Sequence, residues 1–195
     1  MAARKTLGAL AFGFMVAVSG QAEAQTSFGS RLTATTQPAN AGKGVFCKED
    51  NRGQICSAVM TIARNRPNSA VLAPKDGTLA KVRLIACFPG SFVLQLVRLN
   101  EAGEATDVRT GPTINYQGDS RHCRRSRFDI EEFPVNLPIR QGDRMAVLAT
   151  KIGFVYSAGD NGSQLFAPPL ADGETGRTSF DQGTGIILLE GIYDD

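Results

Sequence analysis

"TLAKVRLIACFPGSFVLQLVRLN", residues 78–100, holds two β-strands and the turn between them. In its first half Val82, Leu84, Ala86 and Phe88 fall on one side of an extended chain, and Lys81 and Arg83 on the other. A period of two is the mark of a strand with one buried face. Pro89-Gly90 then interrupts the run, because proline lacks an N–H and glycine accepts backbone angles that other residues avoid. "FVLQLVRLN" (92–100) is apolar on both faces, as a strand in the middle of a packed sheet must be.

The same pattern extends in both directions. Upstream, "SAVMTIA" (57–63) reads as a strand closed by "RNRPN", and "AVLAP" (70–74) as a second ended by "KDG". Downstream, after the loop "EAGEA", come "VRTGPTINY", "RFDIEEFPVNL", "RMAVLATK", "FVYSA", "QLFAPPL" and a final strand "GIILLEGIY". Helical spacing is nowhere sustained beyond two turns. The best helical rival, "ICSAVMTIARN", is rich in β-branched residues and is followed by Pro67, which favours a strand. With 21 glycines, 9 prolines and no tryptophan, the composition suits many turns. About eight to ten short strands predict an all-β protein, a single antiparallel β-sandwich of jelly-roll type, with a barrel as the alternative.

The N-terminus reads differently. Arg4 and Lys5 precede the apolar run "LGALAFGFMVAVSG", and Ala22-Glu23-Ala24 places small residues where a signal peptidase reads. Residues 1–24 are therefore expected to be a signal peptide, too short in its apolar part to span about 30 Å of hydrocarbon comfortably. The small, polar, aperiodic residues 25–44 are expected to be a flexible lead-in, and 45–195 the sandwich domain. Nothing else in the chain is apolar enough to cross a bilayer as a helix, so no transmembrane segment is expected after cleavage. Loss of Arg4, Lys5 and Glu23 takes the basic count from 21 to 19 and the acidic count from 19 to 18, leaving a net charge of +1. A nucleic-acid binder that works by neutralising phosphates carries a much larger excess, so no nucleic-acid partner is expected.

Four cysteines, Cys47, Cys56, Cys87 and Cys123, in an exported chain point to two disulfides rather than to a metal. Three pairings exist. Cys47–Cys56 with Cys87–Cys123 is favoured, since the first two flank the polar "KEDNRGQI", which can turn back on itself. Each bridge would contribute about 3 kcal/mol. No C-x-x-C spacing occurs and His122 is the single histidine, so neither zinc nor any other cofactor is expected.

"RHCRRSRF" (121–128) concentrates four arginines around Cys123. Asp129, Glu131 and Glu132 follow at once, and charge is common at sheet edges, so the stretch reads first as a solvated strand entry. Arg121, Arg124 and Arg125, with Tyr116 and Tyr156, are the candidates for contact with an anion or an envelope polymer. Asp172, Glu174 and Asp181 are oxygen donors of the kind calcium takes, but their spacing matches no calcium loop.

Two stretches of the second half, "NLPIRQGDRMAVL" (136–148) and "LFAPPLADGETG" (165–176), precede a closing strand. Together they resemble a β-sandwich domain of uncharacterised secreted bacterial proteins, which carries an LPI-R-x-GD turn and a PPLADG loop in that order. "AP-x-DG-x-L" (73–79) fits the same pattern, and the similarity covers about residues 55–195. The family has no established activity. The resemblance implies a sandwich and export, and brings no catalytic residue with it. Cys47, the Cys87 and Cys123 set and the "HCRRSRF" insert depart from the family pattern.

The residues thus point to a secreted, non-catalytic module, periplasmic or extracellular, that binds or supports an envelope component. A carbohydrate-binding module is the narrower alternative, although tryptophan, the usual sugar platform, is absent. A hydrolase is the remaining alternative. A Ser-His-Asp triad would have to use His122 among arginines, no G-x-S-x-G elbow exists, and Glu131 and Glu132 would point to opposite faces of a strand.

Overall fold

The computed structural model describes residues 26–36, 44–45, 55–119, 129–149, 151–157 and 161–194. Strands are numbered in chain order. One sheet has the order β1 (Ser27–Gly29), β14 (Leu189–Tyr193), β4 (Gly77–Leu84), β7 (Glu131–Ile139). The other runs β12 (Asp181–Gly183), β11 (Ser163–Phe166), β3 (Cys56–Met60), β8 (Arg144–Ala149), β5 (Gly90–Leu99), β6 (Ala105–Tyr116). Two short ladders pair β2 (Gly44–Val45) with β9 (Lys151–Ile152), and β10 (Val155–Ser157) with β13 (Gly185–Ile187). Every pairing is antiparallel. The all-β sandwich read from the sequence is the architecture observed.

Both sheets supply one apolar core. Leu79, Val82, Leu84 and Leu189 come from the four-stranded sheet, and Ala58, Leu94, Leu96, Met145 and Val147 from the six-stranded one. The sheets approach closely at Gly191. A Cβ there would stand 2.5 Å from Phe28, 2.9 Å from Leu79 and 3.1 Å from the Met145 sulfur of the opposite sheet, so only glycine fits.

Three expectations are corrected. Residues 26–36 are not a loose lead-in: β1 pairs with β14, and Phe28, 1% exposed, packs against Tyr193 with ring centroids 5.8 Å apart. A three-residue strand is too short to display a period, which is why composition alone misled. Residues 70–74 do not form a strand; Asn68–Val71 make a 3-10 turn closed by Ala70 N–H on Pro67 O, followed by one bridge from Leu72 to Arg144. The last run is two strands rather than one. It breaks at Leu188, whose N–H donates to Phe154 O, and β13 and β14 join different partners.

A second, smaller core lies on the outer face of the six-stranded sheet, where Val59, Val97, Val108, Ala146 and Phe166 are covered by Leu170. The "APPLADG" stretch is the cover. Under it the Ser57 hydroxyl donates to Gln95 Oε1 at 2.6 Å, Gln95 Nε2 donates to Leu170 O at 3.0 Å, and Leu170 N–H donates back to Ser57 Oγ at 3.0 Å. This closed ring satisfies two buried polar side chains and one exposed-sequence loop at once. Further along, Thr110 N–H donates to Asp172, while Glu174 accepts from Ala171 N–H at 2.8 Å and from Arg177 at 2.6 Å. These carboxylates hold loop geometry. Among the described residues no group of three or more metal-ligating side chains converges.

The "LPIRQGD" turn behaves as its residues require. Gly142 has φ 87°, and buried Asp143 accepts from Arg140 N–H at 2.7 Å, from Arg98 at 2.9 Å and from Arg109.

Gln95→Leu should lower stability by about 2 kcal/mol, read as a reduced urea midpoint, because Leu170 O and the Ser57 hydroxyl lose their partner in a dry site. Burial pushes the Glu174 carboxyl up, but the Ala171 amide and Arg177 outweigh it and hold it below the usual range. A depressed carboxyl stabilises fully above its unfolded value and less as pH falls through the folded one. Protection of the Ala171 amide, its exchange rate relative to the intrinsic rate at the same pH, should therefore fall as the solution is acidified through that window.

Candidate functional site

Arg121, His122, Cys123, Arg124 and Arg125, with Cys47, lie outside the described residues. Tyr116 is a core residue, 2% exposed, packed edge-on against Phe154 at 5.2 Å. Its hydroxyl oxygen accepts from Gly153 N–H at 2.9 Å. Burial pushes this phenol up, with the Gly153 hydrogen bond opposing. Tyr193 is alike: burial drives it to about 12, and its hydroxyl donates to Lys75 O at 2.8 Å. Tyr156 is half-buried, and the Arg64 guanidinium lies 3.9 Å above its ring centroid, occupying one face. Cys56 and Cys87 are wholly buried, and neither is a free thiol.

The most distinctive polar arrangement was not anticipated. In β14, Leu189, Gly191 and Tyr193 face the core, so Glu190 projects from the outer face of its sheet. The register sets Glu190 opposite Arg83 on β4, and Arg83 opposite Glu132 on β7. Charges of alternating sign therefore cross three strands, with Arg83 reaching Glu190 at 3.2 Å and Glu132 at 3.0 Å. Arg66, from the connection after β3, completes the set. It donates to Glu190 at 2.7 Å, to the Ser27 hydroxyl at 2.6 Å and to Ser27 O at 2.9 Å. Glu190 also accepts from the Ser27 hydroxyl at 3.3 Å and from Leu32 N–H at 3.4 Å.

The Glu190 side chain is 4% exposed, and its two oxygens are satisfied by four donors. Neutralisation by two guanidiniums is what permits a carboxylate at this depth. The contact of Arg66 with Ser27 O has a second effect. It occupies an outward carbonyl of an edge strand, where another chain would otherwise pair.

Above this network the surface opens into a cavity of about 600 Å³ lined by Ser27, Arg31, Asn65, Arg66, Arg83 and Glu190, among others. Its lining carries three guanidiniums against one carboxylate. Arg31 is exposed and forms no ion pair with any described residue. The Arg66 Nε is buried without a hydrogen-bond partner. Ser27 and Ala70 also line a second depression of about 520 Å³, whose walls include Phe28, Leu72, Ala73 and Pro74. The two share a rim, so a cationic half passes directly into an aliphatic half.

Comparison with protein-family models, with curated proteins and with solved structures finds no match for this chain.

Glu190→Ala should cost about 3–5 kcal/mol in chemical denaturation, since it strands two guanidiniums in a site built for a carboxylate. Alkaline absorbance titration should show Tyr116 and Tyr193 ionising above the ordinary phenol range.

Proposed function

We propose that this chain is an exported, non-catalytic β-sandwich module, stapled by disulfides, that binds or supports a component of the cell envelope or extracellular space. The observation that carries the reading is the two-part groove beside β1. It is open, rests on paired strands, and joins surplus positive charge to an aliphatic wall. Such a surface suits holding a ligand. The leader-like residues 1–24 and the buried, non-free Cys56 and Cys87 support export into an oxidising compartment. The resemblance of residues 55–195 to secreted bacterial β-sandwich domains supports the same location.

The carbohydrate alternative is less well supported. A sugar site uses bare aromatic faces, and here Tyr116 lies in the core while Arg64 covers one face of Tyr156.

Expression of the tagged full-length chain in a bacterial host tests the proposal. The mature product should begin at Gln25, fractionate with the envelope or medium, and show no alkylatable thiol until reduced. Retention in the cytoplasm with four reactive thiols would refute it.

A further inference from the structure

We infer that the groove beside β1 is a binding site for a single-chain amphiphilic anion, an alkyl chain ended by a carboxylate or phosphate. This rests on the binding-module reading above and names its ligand class. The headgroup would sit against Arg31 and Arg66, and the chain along Leu72 and Pro74, with Ala70 between the halves.

Four observations select that chemistry. Glu190 already consumes the inner donors of Arg66 and Arg83, so the core of the network needs no further anion to be stable. The surplus is Arg31, exposed and balanced by no described carboxylate, beside the partly exposed Arg66 side chain. An exposed guanidinium with no carboxylate of its own offers an incoming anion charge-assisted hydrogen bonds. The opposite wall is aliphatic, since the Phe28 ring is 1% exposed and turned into the core. An alkyl chain gains from such a wall by burial alone, whereas a sugar ring needs an aromatic platform. A peptide adding to the edge of β1 needs free backbone acceptors, and Arg66 occupies the one at Ser27 O. Each depression lies within the range of about 300–1,000 Å³ usual for small-molecule sites.

The test is calorimetric titration of the oxidised, leader-free chain with dodecyl phosphate and with dodecanoate, each kept below its micelle concentration. Inorganic phosphate and a non-ionic dodecyl glycoside serve as controls. Both anionic chains should bind with one site per protein, and the relative affinity of the two identifies the preferred headgroup. Each control should bind at least about tenfold more weakly. Arg31→Glu, at an exposed position, should weaken binding about tenfold, and raised salt should weaken it further. Ala70→Glu should abolish it. If Ala70→Glu does not fold, amide shifts of Arg31, Ala70 and Leu72 on titration of the unaltered chain locate the ligand instead.

Equal binding of the glycoside would overturn the anion half of the inference, and equal binding of inorganic phosphate the alkyl half. Unchanged affinity in Arg31→Glu, or shifts confined elsewhere, would overturn the location. No binding by a properly exported, oxidised chain would defeat this inference and leave the module reading standing. A chain that is never exported would defeat the module reading whatever the titration shows.

Discussion

A carboxylate set into an apolar strand has to be neutralised where it stands, and Glu190 is neutralised by residues brought from three other parts of the chain. Arg83 arrives by strand register, Arg66 by the connection after β3, and Ser27 and Leu32 by the first described segment. Each of these placements depends on the others. Without Arg66 the edge of β1 is bare, and without β1 the Gly191 approach between the sheets loses the Phe28 ring that fills it. The ionic cluster is thus a fastening for the apolar core rather than an ornament on it. Its desolvation cost is offset because four donors meet two oxygens.

How much of this was legible follows from which residues alternate. The strand at 78–84 showed itself because Lys81 and Arg83 alternate with Val82 and Leu84 in a period of two; Leu79 reaches the core only through the irregularity between Leu79 and Lys81. β5 showed itself because it is apolar throughout and ends at a Pro-Gly turn. β1 did not, since one phenylalanine in three residues has no period. The switch between β13 and β14 was equally hidden: Ile186 to Tyr193 are all buried, and an unbroken apolar run carries no mark of where partners change. Strand AVLAP failed for another reason. Pro67 and Pro74 bracket it, the local 3-10 turn takes the Ala70 amide, and Leu72 and Ala73 reach the chain at Gly142–Arg144 through one isolated bridge rather than a ladder.

The candidate site was harder still, because its parts lie far apart in the sequence. Ser27 and Glu190 lie 163 positions apart, and no local pattern links them. One signal was present. Glu190 is the only charge within "IILLEGIY", and a lone acid in a buried strand implies a cation across from it. By contrast the conspicuous tyrosines drew notice for their chemistry, and Tyr116 turned out to be a packing residue whose hydroxyl serves a backbone amide.

The position of β14 has a temporal meaning. It lies between β1 and β4, so the strand latest in the described sequence is interior to its sheet. As the polypeptide emerges from a ribosome or a translocation pore, β1 and β4 cannot meet across the gap that β14 will fill. The nascent molecule must stay open until residues 189–193 are released, and only then does the sheet zip shut in a single late event.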